Sequence, residues 1–309
     1  MNEFDLIGKY FTWPSNLTSA ELSVGDDAAV CNVEPGYQIA TSIDTLISGV
    51  HFPKDTSAAD IAYKALAVNL SDLAAMGAIP KYYTLAITMP VVDTLWLEEF
   101  SHSLRQLSKE FDVSLIGGDT TRGSLSITIS IVGWIESNTA LLRSKAQIGD
   151  GVFVSNTIGD AALALYQLNS NTPLNARCLQ KLNQPYPQIE LGRSLRGIAS
   201  SCIDISDGLE QDLSHILKSS QVGAIIQVEK LPISSVLTEH VQKHGDYDLP
   251  LNGGDDYELC FTVSPQNQAA LSGISQRCGV KITQIGSICE SAGLEVVGVE
   301  NAGSSYQHF

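Results

Sequence analysis

The sequence predicts an α/β (α+β) protein of two domains. Its 309 residues are about twice the usual length of one domain, and 44% of them are hydrophobic, which is enough for sizeable packed cores. Segments with strand periodicity alternate with segments of helix periodicity, an order typical of layered α/β and α+β structures. In residues 125–131, leucine or isoleucine alternates with serine or threonine, so we expect a half-buried strand in an antiparallel or mixed sheet.

The first half of the chain contains three predicted strands and two predicted helices. The first helix is rich in alanine and leucine, which indicates that it is mostly buried, and Gly77 and Pro80 stop it. The second helix is amphipathic. Strand periodicity covers residues 37–44, 81–89 and 124–134, and helix periodicity covers residues 59–78 and 94–111.

The pattern restarts near residue 151. We therefore expect a domain boundary near residues 136–150, and we divide the chain into residues 1–137 and 138–309. In the second half, strands are predicted at residues 151–156, 201–206, 223–231, 257–263 and 281–288, and helices from residue 160 and at residues 188–200, 208–218, 234–244 and 265–277.

The acidic composition argues against several classes of partner. Eighteen Lys and Arg residues against 34 Asp and Glu residues leave a net charge of −16, which repels nucleic acid and anionic membrane surfaces. No uncharged apolar run approaches about 18 residues, so we expect no membrane span, and the first residues do not resemble a signal peptide. Six cysteines without a C-x-x-C pair favour reduced thiols. Together these features predict a cytoplasmic protein.

Carboxylates recur where predicted strands end. Any one of them is also explained as an ordinary cap, turn or solvent-facing residue. If they converge, carboxylates about 4 Å apart repel by on the order of 4 kcal/mol per pair at an effective dielectric constant near 20, so protons or bound cations must hold them together. Oxygen ligands without His or Cys favour Mg²⁺, which would let an acidic protein bind a phosphorylated substrate. The residues are Asp27, Asp44, Asp119, Asp204 and Asp207 at strand ends, and Asp72 inside a helix, one turn from Asn69.

Three further features suit a phosphate group, and each also has an ordinary structural explanation. Arg122 and Arg143 are either phosphate clamps or surface arginines. Ser206 and Asp207 begin a predicted helix, where free N–H groups favour anions but where Ser and Asp are also common caps. His51 follows an acidic strand end and has a structural or a functional role. The chain has neither a P-loop nor the protein-kinase signature set.

Six motifs occur in order along the chain: GDDAAV, SIDTLISGVHF, YKALAVNLSDLAAMGA, LIGGDTTRG, IDISDGL and GGDDYEL. Together they closely resemble the thiamine-monophosphate kinase family, within the ATP-binding superfamily that includes aminoimidazole ribonucleotide synthetase, and the resemblance covers essentially the whole chain. It implies a two-domain aminoimidazole ribonucleotide synthetase-like fold, with a mixed-sheet N-terminal domain and an α/β C-terminal domain. It also implies transfer of the γ-phosphoryl group of ATP to thiamine monophosphate, giving thiamine diphosphate. Several Mg²⁺ ions and a homodimer are implied too, with ATP, Mg²⁺ and the dimer contact assigned to the N-terminal domain.

The resemblance also implies roles for individual residues. It makes Ile43 a ligand through its backbone carbonyl only, and Asp255 stands where relatives often have a longer glutamate facing the thiamine. We assign no general base, because a phosphate monoester oxygen is already a nucleophile at neutral pH. The implied Mg²⁺ ligands are Asp27, Ser42, Ile43, Asp44, Asp72, Asp119, Asp204 and Asp207; the ATP contacts are Gly118, Asp119, Arg143 and Ser206; the substrate contacts are His51, Asp255 and Tyr306.

Two other functions fit part of the pattern. An enzyme of the same superfamily would phosphorylate a different acceptor, such as a formylglycinamidine ribonucleotide or selenide. Selenide enzymes use a reactive cysteine or selenocysteine near the N-terminus, whereas the first cysteine here is Cys31, after GDDAAV. A Mg-nucleotide sensor or scaffold would tolerate the loss of motif aspartates, all of which are present here.

Overall fold

The computed structural model describes residues 3–13, 20–24, 28–170 and 172–298. The candidate Mg²⁺ ligand Asp27 and the candidate substrate contact Tyr306 lie outside these ranges. The chain divides into two compact units, Met1–Leu73 with Ala78–Asn138, and Ala74–Gly77 with Thr139–Phe309.

A four-stranded mixed sheet forms the centre of the first unit. The elements in chain order are α1 (Glu3–Leu6), a π-helical turn (Ile7–Phe11), β1 (Ala20–Leu22), β2 (Val30–Cys31), β3 (Tyr37–Ile47), α2 (Ala58–Ala75), β4 (Ile79–Met89), α3 (Thr94–Glu110), β5 (Ser114–Arg122) and β6 (Ser126–Glu136). The sheet has the order β3-β6-β4-β5, in which β4 and β5 are parallel and β6 is antiparallel to both of its neighbours. β1 and β2 pair separately.

One face of this sheet is packed. Ile127, Ile129 and Ile131 of β6 are fully buried, and the serine and threonine residues between them are half-buried, which confirms the predicted alternation. The 18-residue helix α2 is buried on most sides, as its alanine-rich sequence predicts. No helix in the described part of the chain is long and apolar enough to cross a membrane.

A six-stranded sheet forms the centre of the second unit. Its elements are β7 (Gly151–Ser155), α4 (Asp160–Ser170), α5 (Ala176–Asn183), α6 (Ile189–Leu195), β8 (Ala199–Asp204), α7 (Leu209–Ser220), β9 (Gly223–Gln227), a 3₁₀ turn (Val228–Lys230), α8 (Ser235–His244), α9 (Asp248–Asn252), β10 (Leu259–Val263), α10 (Ala269–Cys278), β11 (Ile282–Cys289) and β12 (Gly293–Val297). The strand order is β12-β9-β11-β7-β10-β8, and only β9 and β12 are parallel. Every residue of β7 and β10 is buried, so these neighbouring strands lie in the core.

The observed elements confirm the predicted α/β (α+β) class but differ in detail. The helix predicted at residues 188–200 is only Ile189–Leu195, because Gly197 takes a positive φ of 73° and residues 199–200 join β8. Apolar periodicity predicted neither α5, whose first turn is capped by the Asn175 side chain, nor α9 and β12. These three elements are short, and periodicity is a weak signal over so few residues.

Candidate active site

Ser42, Asp44 and Asp72 meet at the packed face of the first sheet. Ser42 and Asp44 occupy alternate positions of β3 and therefore point to the same face, where both are half-buried. Asp72 reaches them from α2, and the Ser42 hydroxyl donates a hydrogen bond to Asp72 Oδ2 at 2.5 Å. One strand and one helix thus bring together three of the predicted Mg²⁺ ligands.

The carboxyl groups of this cluster crowd negative charge into a partly buried space. Burial and the neighbouring Asp72 raise the pKa of Asp44 to about 7. Asn69, one turn before Asp72, donates from Nδ2 to Ala65 O, but its Oδ1 is buried without a hydrogen-bond partner among the described residues. Buried polar atoms are normally paired. These hard oxygen donors and their crowded charge fit a divalent cation such as Mg²⁺.

His51 lies in a tight turn directly after β3. The Nδ1 atom of its ring accepts a hydrogen bond from the backbone N–H of Ile47 at 3.0 Å, and the backbone N–H of His51 donates to Ile47 O at 3.0 Å. In the neutral ring the proton is then on Nε2, so that this nitrogen is a donor. A half-buried imidazole with a fixed donor suits a phosphate oxygen.

Gly118 and Asp119 line a cavity of about 700 Å³ in the first unit. The wall is mostly apolar and includes Phe11, Leu85 and Leu115. Glycine is required at position 118, because a Cβ there would lie 2.0 Å from the backbone oxygen of Leu85 on β4. The size and apolar wall suit a flat organic group such as a nucleotide base.

Asp119 and Asp44 lie on opposite faces of the four-stranded sheet. Strand pairing places residues side by side in rows that run across the four strands. One row contains Thr45, Thr128, Ala86 and Asp119. The adjacent row contains Asp44, Ile129, Leu85 and Gly118. Neighbouring positions of a strand point to opposite faces, so adjacent rows do so as well. The sheet therefore brings Asp44 to Asp72 but does not bring Asp119 to this pair.

In the second unit, the candidates Asp204, Ser206 and Asp207 follow one another from the end of β8 into the loop before α7. Asp204 is buried, and the other two are half-buried. The backbone N–H groups of Ser206 and Asp207 both donate to Asp212 Oδ2, at 2.9 and 3.0 Å. An anion bound at the start of this helix would need free N–H groups. These two are not free, because they already donate to a carboxylate of the chain itself.

Asp212 also belongs to this group, although the sequence did not single it out. Burial raises its pKa to about 7, although the N–H bonds that it accepts lower the pKa. Its signal in the sequence was an acid in the first turn of a predicted helix, which is too common to single out a site.

Asp255 lies beside the same loop. Its N–H donates to Ser206 O at 2.9 Å, and the Tyr257 N–H donates to Ile205 O at 2.7 Å. The Tyr257 hydroxyl also donates to Asp255 Oδ1 at 3.3 Å. Asp255 has a φ of 72°, which is uncommon for a residue other than glycine. Backbone pairing and one tyrosine thus hold a candidate substrate contact next to a candidate ATP contact.

Two buried acids, Asp256 and Glu258, anchor the segment that carries Asp255. Both carboxylate oxygens of Asp256 accept from the Gly159 N–H, at 2.8 and 2.9 Å. Glu258 forms an ion pair with Lys181 at 3.3 Å. Burial raises the pKa of both acids, and Lys181 opposes this effect. The motif GGDDYEL, predicted to contact the substrate through Asp255, thus also contains two buried acids that hold the segment in place, which the motif alone did not reveal.

For the remaining candidates, no contact within the described part of the chain tests their roles. Arg122 and Arg143 are exposed, and the side chain of Ile43 points away from Ser42 and Asp44. Within the described ranges, no group of three or more His, Cys, Asp or Glu side chains is arranged to hold a metal ion. The Mg²⁺, ATP and substrate roles of individual residues therefore stay predictions.

Both units match known families. Residues 25–135 match the family of AIR synthase related proteins, N-terminal domain, and residues 147–299 match the C-terminal domain of the same family. Thiamine-monophosphate kinase of Haemophilus influenzae is 46% identical over 298 residues, which cover 95% of this chain and 91% of that protein. The enzyme of Escherichia coli strain K12 is 47% identical over 292 residues, covering 93% and 90% of the two chains.

Solved structures give the same result. Thiamine-monophosphate kinase from Stenotrophomonas maltophilia K279a has a TM-score of 0.87 and 40% identity, covering 93% of each chain. AaThiL complexed with AMPPCP and TMP has a TM-score of 0.80 and 27% identity, covering 90% of this chain and 89% of that one. The family resemblance of the six motifs is confirmed, and the chain belongs to the thiamine-monophosphate kinase family of AIR synthase related proteins.

Proposed function

We propose that this chain transfers the γ-phosphoryl group of ATP to the phosphate of thiamine monophosphate, forming thiamine diphosphate in the biosynthesis of that cofactor. The observation that carries the proposal is the likeness over 90% of the chain to a structure that holds both AMPPCP and TMP. The enzyme is a thiamine-phosphate kinase, a phosphotransferase with a phosphate group as acceptor.

Mg²⁺ is the cation we propose for the carboxylates. When bound, it would screen the phosphates of both substrates and stabilise the group in transfer. The pairing of Asp44 with Asp72 supports one ion there. Within this chain Asp119, on the opposite face of the sheet, would bind a separate ion, because an oxygen ligand must come within about 2.1 Å of Mg²⁺. The full proposed set is Asp27, Ser42, Ile43, Asp44, Asp72, Asp119, Asp204 and Asp207.

ATP is proposed to bind at Gly118, Asp119, Arg143 and Ser206. The cavity beside Gly118 and Asp119 supports the nucleotide part, because its apolar wall can pack against a base. Ser206 would contribute through its hydroxyl, since its N–H is bonded to Asp212. Arg143, which is exposed, would contribute a charged donor to a phosphate.

Thiamine monophosphate combines an anionic phosphate with a cationic thiazolium ring, and the proposed contacts match both parts. His51 would donate from Nε2 to the phosphate, and the carboxylate of Asp255 would face the thiamine. Tyr306 is proposed to stack on the thiamine and lies outside the described residues. These residues bind and orient the acceptor phosphate. No residue has to remove a proton, because the attacking oxygen is already ionised.

The first unit is also proposed to form a homodimer. Its open sheet face carries exposed Ile39 and Ile43, at 57% and 64%, and the less exposed Ile47 on the edge strand β3. Exposed apolar side chains along one strand are typical of an interface.

The six cysteines are all free, which suits the reducing cytoplasm that we propose as the location.

A turnover assay tests the function. Purified protein with ATP, Mg²⁺ and thiamine monophosphate should form thiamine diphosphate, detected by thiochrome fluorescence after chromatography. Formylglycinamidine ribonucleotide and selenide serve as alternative acceptors. If only one of those acceptors is phosphorylated, that acceptor is the substrate and the proposal is wrong. ATP binding without any turnover would favour a sensor or scaffold.

A further inference from the structure

Lys64 is a buried lysine that none of the proposed roles uses. It lies on α2, and only 3% of its surface is exposed. It precedes Asp72 by eight residues, about two helical turns. Burying an ammonium group is costly unless acceptors are placed around it, so the acceptors of Lys64 indicate what this residue does.

One acceptor of Lys64 is the turn that carries His51. Lys64 Nζ donates to His51 O at 3.2 Å. The same turn is closed by the Gly49 N–H, which donates to Phe52 O at 2.8 Å, and Gly49 has a φ of 79°. The turn after β3 is thus hydrogen-bonded to α2 through the Lys64 side chain.

The hydrogen bonds around His51 set its orientation. Its backbone N–H and its Nδ1 are both bonded to Ile47, and its carbonyl is bonded to Lys64. The peptide groups on both sides of the residue and one ring nitrogen are therefore held. Because Nδ1 is an acceptor, the direction in which Nε2–H points follows from these bonds.

We infer that Lys64 is a positioning residue for the acceptor substrate: it holds the 47–52 turn on α2 so that His51 Nε2–H donates to the phosphate of thiamine monophosphate. The inference rests on the proposed function and adds a residue to it. Lys64 acts through His51 and does not touch the substrate. Its loss should therefore weaken the acceptor site, which contains His51, and leave the nucleotide site at Gly118 unchanged.

Lys64→Met tests this by separating the two substrates. We expect KM for thiamine monophosphate to rise about 10- to 100-fold, as for a misplaced binding group, with KM for ATP within about twofold of wild type. Lys64→Arg, which keeps a long cationic donor, should restore most of the affinity. Lys54→Met is the matched control, since Lys54 is an exposed lysine next to the same turn and should change neither KM.

A double-mutant cycle shows whether Lys64 works through His51. His51→Ala alone should raise KM for thiamine monophosphate, and adding Lys64→Met to it should raise KM no further. If Lys64→Met does not fold, Lys64→Gln keeps a shorter polar donor, and the same selective rise is expected.

Three results would overturn the inference while wild type remains active: equal increases of both KM values, an unchanged KM for thiamine monophosphate, or independent effects of Lys64 and His51. A wild-type protein that forms no thiamine diphosphate would instead contradict the proposed function. The two failures are thus distinguishable.

Discussion

The carboxyl group of Asp44 on β3 lies beside that of Asp72 on α2, and the pKa of Asp44 is about 7 because burial and the second negative charge both disfavour its ionised form. Two consecutive elements of the chain thus bring together a pair of carboxylates that repel each other until a proton or a cation lies between them. Ser42 completes the group by donating to Asp72.

Asp72→Asn should abolish most of the activity and keep the fold. We expect turnover to fall at least about 100-fold, because the variant loses one of the proposed carboxylate ligands of the Mg²⁺ that neutralises the phosphates. The amide oxygen can still accept from Ser42, so the melting temperature without metal should stay near or above that of wild type. Asp60→Asn on the same helix is the control and should be active. Near-normal turnover of the Asp72 variant would remove Asp72 from the proposed Mg²⁺ ligands.

Mg²⁺ itself should stabilise the protein without nucleotide. A ligand that binds only the folded state at about 100 times its dissociation constant adds about 2.7 kcal/mol to the free energy of unfolding. We expect a rise of several degrees in melting temperature when Mg²⁺ is added, and its reversal by a chelator. Asp44→Asn should reduce the rise. The same rise in that variant would place the stabilising ion elsewhere.

Gly118→Ala should destabilise the first unit by about 1–3 kcal/mol or more, because the new Cβ would lie 2.0 Å from Leu85 O. Gly117→Ala is the matched control, since the nearest atom to its Cβ is Thr84 Cγ2 at 3.8 Å. Urea unfolding measures the difference. Equal midpoints for the two variants would show that β4 and β5 are not as closely spaced as described.

Lys181→Met should make stability more dependent on pH. The folded-state pKa of Glu258 is already raised by burial, so the folded state holds its proton more firmly than the unfolded chain, and stability falls as the pH rises through that range. Removing Lys181 raises this pKa further. We expect a loss of about 1–3 kcal/mol at pH 8.5 and a smaller loss at pH 5.5.

The control for this variant is Glu190→Gln, which removes an exposed ion pair with Arg193. It should change the free energy of unfolding by less than about 1 kcal/mol at both pH values. A Lys181→Met effect that is the same at pH 5.5 and 8.5 would mean that Glu258 does not depend on this lysine.

Ile39→Lys should dissociate the proposed homodimer, because it places a charge on the exposed face of β3. Light scattering after size exclusion should show half the mass. Ile148→Lys, at a similarly exposed isoleucine of the second unit, should leave the dimer intact. A wild-type monomer, or a dimer in the Ile39 variant, would contradict the proposed interface.

Local signals in the sequence were enough for the main elements. The buried helix α2 and the alternating strand β6 were predicted close to their observed limits, because apolar periodicity is a property of neighbouring residues. The predicted helix at residues 188–200 was too long for a related reason: its last residues have helix-like composition, yet they pair with β10. Strand pairing is non-local and overrides such local preferences.

The sequence predicted candidate residues for the site but not their arrangement. By itself, the sequence determined the fold class, the acidic character and the family, because these depend on composition, periodicity and ordered motifs. Only the tertiary structure decided that Asp44 meets Asp72 while Asp119 lies on the other face, and that Asp212 occupies the N–H groups of Ser206 and Asp207. It also decided that Lys64 holds the turn of His51. The physical reason is that strand register and burial join residues distant in the chain, and no local pattern encodes which side chains then share a face.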